Sequence, residues 1–498
     1  MTARLAPLGV LLFALVLAAC ASSSDSREGA PADATTEAVT GAGSAVEPRA
    51  APAPTGAGAE RAEAESGSAV VSGGMDAATP RRSGGMEFLS ISPEHDEALP
   101  RWDPDPAPGL LTAGDVDDHL NFDFFLGWLD RTLGGYRQSA MDPLDLSDRV
   151  TVLVTDRSGE PVSGARVRIE ADGGRRAGGL VTQTGTDGRL ELFPRYDFGR
   201  GVRALDLTVS RPDGGYPETT TVRLRGWDGE RTVRVQLDTE APRRTRALDV
   251  AFAIDVTGSM GDELRYLSAE FRAIVERIEQ RYPDVDLRFG LVAYRDHGDQ
   301  FVVRNYDFTP RVTTMQGHLA NLRAQGGGDY PEAMDEALDA ALALDWRPDA
   351  TRLLFLVADA PPPDTRLGDM MEHVRLARAS GIRMYPLAAS GVGETAEVIM
   401  RTAAALTQGR YLFLTDDSGI GNPHAEPKVP CYVVTQLNDL LVRVIASELE
   451  GRRVEPRRDE VIREVGDYDA GVCEVRPIAQ RPTPRRGQTR SGLGGYTD

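Results

Sequence analysis

The sequence predicts a multidomain fold: a β-sandwich followed by a doubly wound α/β domain, both behind a disordered N-terminal tether. Three observations carry this. Residues 149–239 run in short strands that alternate apolar and polar side chains between Gly, Pro and Asp turns. Residues 248–450 alternate near-continuous apolar strands with amphipathic helical stretches. Residues 20–100 are Ala, Gly, Ser, Glu and Pro with few large apolar side chains, too few to offset the entropy of ordering them. A length of 498 residues accommodates several domains.

Composition narrows the partners. Hydrophobic residues make up 41% and the formal net charge is -20. Phosphates repel so acidic a chain, so no nucleic-acid partner is expected, whereas divalent cations suit it. Lys428 is the sole lysine among many arginines, which reads as GC-rich codon usage.

The N-terminus reads as an address. Arg4 precedes an uncharged stretch, Leu5 to Ala19. That stretch is shorter than the about 20 residues a membrane-spanning helix needs and has the length of a signal-peptide core. It ends in Leu17-Ala18-Ala19-Cys20, which resembles the lipobox of bacterial lipoproteins. The resemblance implies that residues 1–19 are a signal peptide and that Cys20 is lipidated and anchors the chain in a membrane. Ala21 in place of Asp implies the outer membrane where a cell has two, facing the periplasm or the outside.

Residues 101–148 follow the tether as a short apolar docking segment. Leu110, Leu111, Val116, Leu120, Phe122, Phe124, Phe125, Trp128 and Leu129 suggest a short helix packed on a neighbouring domain. In the sandwich, Val150, Val152 and Val154 open the series and Val233, Val235 and Leu237 close it. Val154-Thr155-Asp156, Pro161-Val162 and Thr186-Asp187-Gly188 resemble carboxypeptidase regulatory-like and Ig-like modules. A linker spans 240–247. In the α/β domain, apolar strands at 248–254, 287–294, 353–358 and 382–388 alternate with helical patterns, as in a Rossmann-like, mostly parallel sheet. Residues 451–498 read as a charged, irregular tail.

The chemistry lies at the strand ends. The first α/β strand runs into Asp255-Val256-Thr257-Gly258-Ser259, a carboxylate and two hydroxyls in a loop that feeds a helix. Open α/β sheets bind ligands at that edge. A second apolar strand ends in Asp359, and between them lies Gln325-Gly326-Gly327-Gly328-Asp329-Tyr330-Pro331-Glu332-Ala333. In order and spacing these three pieces resemble von Willebrand factor type A (VWA) domains and their metal-ion-dependent adhesion site (MIDAS). The resemblance covers about 248–450. It implies that Asp255, Thr257, Ser259 and Asp359 hold Mg²⁺ or Mn²⁺, with Ca²⁺ as an alternative, because the donors are hard oxygens. A plain structural reading of Thr257 and Ser259 is helix capping. The family's threonine falls on or beside Gly328, and the neighbouring Asp329 has two readings. As a metal ligand it adds negative charge, which holds the cation but blunts its attraction for an acidic residue of a protein partner. Otherwise it caps a helix beginning at Pro331.

Weaker features remain. Tyr294-Arg295-Asp296-His297 suggests a structural Arg–Asp pair with a solvated His at the site's rim. Thr415-Asp416-Asp417-Ser418-Gly419 suggests an acidic turn or a second cation site. Cys431 and Cys473 are candidates for a disulfide, subject to their distance. There is no phosphate-binding Gly-x-x-x-x-Gly-Lys, no His-Glu-x-x-His and no Gly-x-Ser-x-Gly. The expected function is cation-assisted protein binding at a bacterial envelope, not catalysis. The alternatives are a scaffolding envelope lipoprotein with a stabilising or vestigial metal site, and a metal-dependent envelope hydrolase.

Overall fold

The computed structural model describes residues 107–136, 144–174, 179–212, 220–225, 231–238, 240 and 247–474. The signal peptide, the tether, Cys20 and the tail from residue 475 lie outside the described residues.

The chain enters through β1 (Thr112–Val116) and α1 (Phe122–Tyr136). A β unit follows, with β2 (Val150–Thr155), β3 (Arg166–Gly173), β4 (Leu180–Gln183), β5 (Arg189–Leu192), α2 (Pro194–Phe198), β6 (Val202–Ser210), β7 (Thr220–Arg225) and β8 (Arg231–Gln236). Its strands form a three-stranded sheet, β5-β2-β8, and a four-stranded sheet, β4-β3-β6-β7. Alternation sends Val150, Val152 and Val154 of the first and Val167, Ile169, Leu205 and Leu207 of the second into one buried cluster.

The α/β unit continues with β9 (Ala247–Asp255), α3 (Gly261–Arg281), β10 (Asp286–Tyr294), β11 (Val303–Thr309), α4 (Val312–Asn321), α5 (Met334–Leu342) and β12 (Thr351–Ala358). Then come α6 (Leu367–Ala379), β13 (Ile382–Ala388), α7 (Glu394–Thr407), β14 (Tyr411–Thr415), β15 (Tyr432–Gln436) and α8 (Leu437–Glu450). Three short strands end the described chain: β16 (Arg463–Val465), β17 (Tyr468–Asp469) and β18 (Val472–Cys473). Among the described residues the main sheet has nine strands in the order β11-β10-β9-β12-β13-β14-β1-β15-β16. The run from β10 to β14 is parallel, and β11 and β1 pair antiparallel with it. Both faces are covered, so the central strands are apolar on both sides. Val250 and Ile254 of β9 join the face packed by α3, α4 and α8. Ala251 and Ala253 join the opposite face, packed by α1, α5, α6 and α7.

Two sequence expectations need correction. Residues 112–136 do more than dock: β1 is an interior strand of the main sheet, between β14 and β15. In chain order the β unit therefore falls between β1 and the strands that follow from β9. The signal was hard to read because β1 comes from far upstream and carries Gly114 and Asp115 at its centre. Gly114 is required by packing, since a Cβ there would sit 2.5 Å from the Phe413 ring. Asp115 is buried, and burial pushes its pKa up; Arg453, Arg410 and Arg443 outweigh this and hold it well below the usual carboxylate range. Nor is the stretch after 450 irregular up to residue 474: β16 extends the main sheet, and Cys473 of β18 is disulfide-bonded to Cys431, with Cα atoms 5.3 Å apart.

A second buried ion pair fixes α1. Arg401 of α7 is fully buried, donates to Asp118 at 2.6 and 3.0 Å and lies 3.9 Å over the Trp128 ring. Removing one partner of such a network strands the other's charge in a low-dielectric interior. Asp115→Ala should therefore lower stability by about 3–5 kcal/mol, read as a lower urea midpoint at unchanged slope. A loss below about 1 kcal/mol would place the pair among exposed, weakly contributing ones.

Candidate metal centre

The register of the central strands builds the site. Parallel β9 and β12 pair Ile254 with Val357, so both strands end at the same sheet edge. Asp255, the last residue of β9, and Asp359, the first after β12, emerge there and are buried. The loop after β9 curls back onto Asp255. Thr257 donates its backbone N–H and its hydroxyl to Asp255 Oδ1, at 2.9 and 2.8 Å. The Thr257 and Ser259 hydroxyls lie 3.2 Å apart. Against burial, which raises the Asp359 pKa, Ser259 also lies close enough to lower it.

The glycine-rich loop covers this turn. Gly258 donates to the Gly326 carbonyl at 3.1 Å, and Gln325 donates to the Val256 carbonyl at 3.0 Å. Gly326 and Gly327 take φ of 83° and 73°, a backbone only glycine adopts readily. A Cβ on Gly327 would also press on Glu332 Oε1 at 2.9 Å and on Thr257 Cβ at 3.2 Å. The Gly327 N–H is held by Asp299 Oδ2 at 2.9 Å.

Three carboxyl groups crowd together at this edge. Burial, then the Asp359 charge, pushes Asp255 up to about 7. Burial also raises Asp359. Glu332 is pushed to about 9, by burial first and then by Asp255, Asp296, Asp359 and Asp299. Asp255 Oδ2, Asp359 Oδ1 and Glu332 Oε2 are buried and have no hydrogen-bond partner. Buried polar atoms are rarely left so. The donor set fits a hard divalent cation: carboxylate oxygens with Thr257 and Ser259 hydroxyls beside them. Among the described residues no three His, Cys, Asp or Glu side chains form a metal-ligand set; the arrangement here is a carboxylate pair supplemented by hydroxyls, with Glu332 behind.

The structure sorts the other candidates. Asp329 is exposed and is none of the leading charges on Asp255, Asp359 or Glu332. It is not a helix cap either, because α5 begins at Met334 with Ala333 as its N-cap. The carboxylate that this loop buries is Glu332, whose N–H is fixed on the Pro361 carbonyl at 3.0 Å. Sequence reasoning gave Glu332 no role; the available signal was an acidic residue directly after Pro331 in a loop already facing two aspartates. Arg295 bonds the Arg323 carbonyl at 2.8 Å and lies over Phe301, and His297 pairs with Glu336. The expected Arg295–Asp296 pair is thus replaced by other contacts. Asp416 accepts from the His424 backbone at 3.0 Å, and Asp417 pairs with Arg463 at 2.8 Å, so this turn spends its charge within the protein.

A doubly wound sheet with an Asp-x-Thr-x-Ser turn facing a second carboxylate defines a class of α/β domain. Residues 249–419 match the model of the von Willebrand factor A domain family, so this chain carries such a domain. An alpha-protein kinase, vwkA, of Dictyostelium discoideum is 26% identical over 162 residues, 32% of this chain and 25% of that protein. A putative ariadne-like RING finger protein of Acanthamoeba polyphaga mimivirus is 34% identical over 115 residues, 23% of this chain and 11% of that protein. The von Willebrand factor A domain-containing protein 7 of Rattus norvegicus is 33% identical over 139 residues, 27% of this chain and 14% of that protein. The matched stretch thus spans a quarter or less of each relative. Two solved structures overlay with a TM-score of 0.29: an aerotolerance-related membrane protein of Bacteroides fragilis, 14% identical, and BatB of Bacteroides thetaiotaomicron, 13% identical. Each overlay covers 41% of this chain, and 98% and 99% of those chains respectively.

The electrostatics make a signed prediction. A carboxyl group whose pKa is raised by folding binds more protons in the native state, so stability falls as pH rises from about 4 through about 7. In EDTA at pH 8, Asp255→Asn should therefore stabilise the protein, by about 1–3 kcal/mol. A lower melting temperature for the variant under those conditions would show that the Asp255 charge is already compensated.

Proposed function

We propose that this is an exported, lipid-anchored protein whose VWA domain holds a divalent cation and uses it to bind a protein partner at the bacterial envelope. The reading rests above all on the unpartnered oxygens of Asp255 and Asp359 at the sheet edge. Asp255, Thr257, Ser259 and Asp359 would hold Mg²⁺ or Mn²⁺, with Ca²⁺ as the alternative. Bound there, the cation supplies a Lewis-acidic point that an acidic side chain of the partner can complete. Asp329, exposed on the rim, stands where it would meet such a partner. The anchor rests on Leu17-Ala18-Ala19-Cys20; among the described residues no helix is long and apolar enough to cross a membrane. The proposal is of a binding protein, not an enzyme.

Glu332 favours a second reading, a scaffolding lipoprotein whose cation serves stability. A third buried carboxylate makes a bound cation less electrophilic and so a weaker draw for an acidic partner.

Calorimetry with MgCl₂ and MnCl₂ tests the shared premise. One cation per chain is expected, with a rise in melting temperature; at 100 times Kd the gain is about 2.7 kcal/mol. Asp255→Ala should abolish both. Affinity should climb between pH 6 and pH 8, by up to about tenfold per unit, as the cation ceases to compete with a proton. No binding of either ion by the wild type would overturn the proposal. Recovery of the same envelope partners with Mg²⁺, with EDTA and with Asp255→Ala would leave only the stabilising cation.

A further inference from the structure

A cavity of about 290 Å³ lies at the seam between the β unit and the α/β unit. It opens beneath the N-terminal ends of β13 and β14, at the sheet edge opposite Asp255 and Asp359. Its walls come from the β1–α1 connection, the β unit, the N-terminal ends of β13 and β14, and the C-terminal end of α8 with the residues that follow.

The connection places His119 on the wall with its backbone held from both sides. Asp117 accepts the His119 N–H at 3.1 Å, and Arg149 donates to the His119 carbonyl at 2.9 Å. Arg149 is itself fixed over the Phe122 ring, 4.0 Å from its centre. The imidazole has no such support: Nδ1 and Nε2 are both buried and neither has a hydrogen-bond partner. Every protonation state of a histidine carries at least one ring N–H. A buried donor is thus left unmet beside an open cavity, at a cost folding normally avoids.

The charge of the lining points to what would meet it. Six arginines and four carboxylates face the cavity, in a chain whose net charge is -20. The carboxylates already have partners: Asp117 with Arg453, Asp187 and Glu448 with Arg383, and Glu191 with the Thr151 hydroxyl. Arg189, by contrast, is an exposed guanidinium at the rim. The volume lies at the lower bound of ligand pockets, so it suits a small anion and not a polymer.

We propose that this cavity binds a small oxyanion of the phosphate or carboxylate type. The His119 ring donates to it, and Arg149 and Arg189 supply charge-assisted contacts. Because its walls come from both units, the bound anion braces the seam between them.

Titration calorimetry on the detergent-solubilised full chain tests this, with inorganic phosphate and malonate as separate probes at constant ionic strength. EDTA is present throughout, so that no cation near Asp255 can hold the anion. One anion per chain is expected at millimolar affinity or better, and the probe that binds more tightly identifies the ligand type. His119→Phe, which fills the space without a donor, and Arg189→Ala should each weaken binding by about tenfold. The exposed position of Arg189 keeps the test decisive if His119→Phe does not fold. No heat from either probe up to about 10 mM, or wild-type affinity in the folded variants, overturns the proposal.

Discussion

The parallel pairing of β9 with β12 is the constraint on which the site depends. With Ile254 opposite Val357, two adjacent strands end together and deliver Asp255 and Asp359 to one edge. Asp255 lies within the ladder and Asp359 directly after it, so both are tied to strands buried on both faces. The outcome is like charge in a desolvated place, opposed only in part by Thr257 and Ser259. This crowding of buried carboxyl groups is the feature on which the proposed cation site rests.

The glycine-rich loop deepens the effect. Its backbone bonds to Val256 and Gly258 leave no room for side chains at Gly327, and the turn that follows brings Glu332 inward. The loop therefore contributes charge through a residue beyond its glycines, while its most conspicuous acid, Asp329, stays in solvent. This edge therefore carries more carboxylate than the Asp-x-Thr-x-Ser turn alone supplies.

The opposite edge is organised by arginine. Asp115 of β1 gathers Arg410, Arg443 and Arg453, and Arg401 closes on Asp118. These pairs hold a strand from before the β unit inside a sheet made mostly after it. Arg378 and Arg383 pair with Asp197 and Asp187 of the β unit. The sheet thus has one edge lined by buried carboxyl groups and a seam rich in guanidinium.

The sequence determined the layers and the ends. Apolar runs such as Leu353–Ala358, and helices with one apolar face such as that of Leu264, Phe271 and Ile278, announce a covered parallel sheet, because burial on both faces leaves a pattern in a single segment. The positions of Asp255 and Asp359 at strand ends, with Thr257 and Ser259 in the turn after the first, were legible for the same reason. What only the tertiary structure decided depends on partners distant in the chain. Thr112–Val116 is short, and its central Gly and Asp make sense only beside Phe413 and three arginines. The choice of Glu332 over Asp329 depends on how the loop turns after Gly327, which hydrogen bonds to Val256, Gly258 and Asp299 settle. The Cys431–Cys473 bond likewise needed a distance. Local periodicity records which face of an element is buried, but it holds no information about which distant residue will compensate a buried charge.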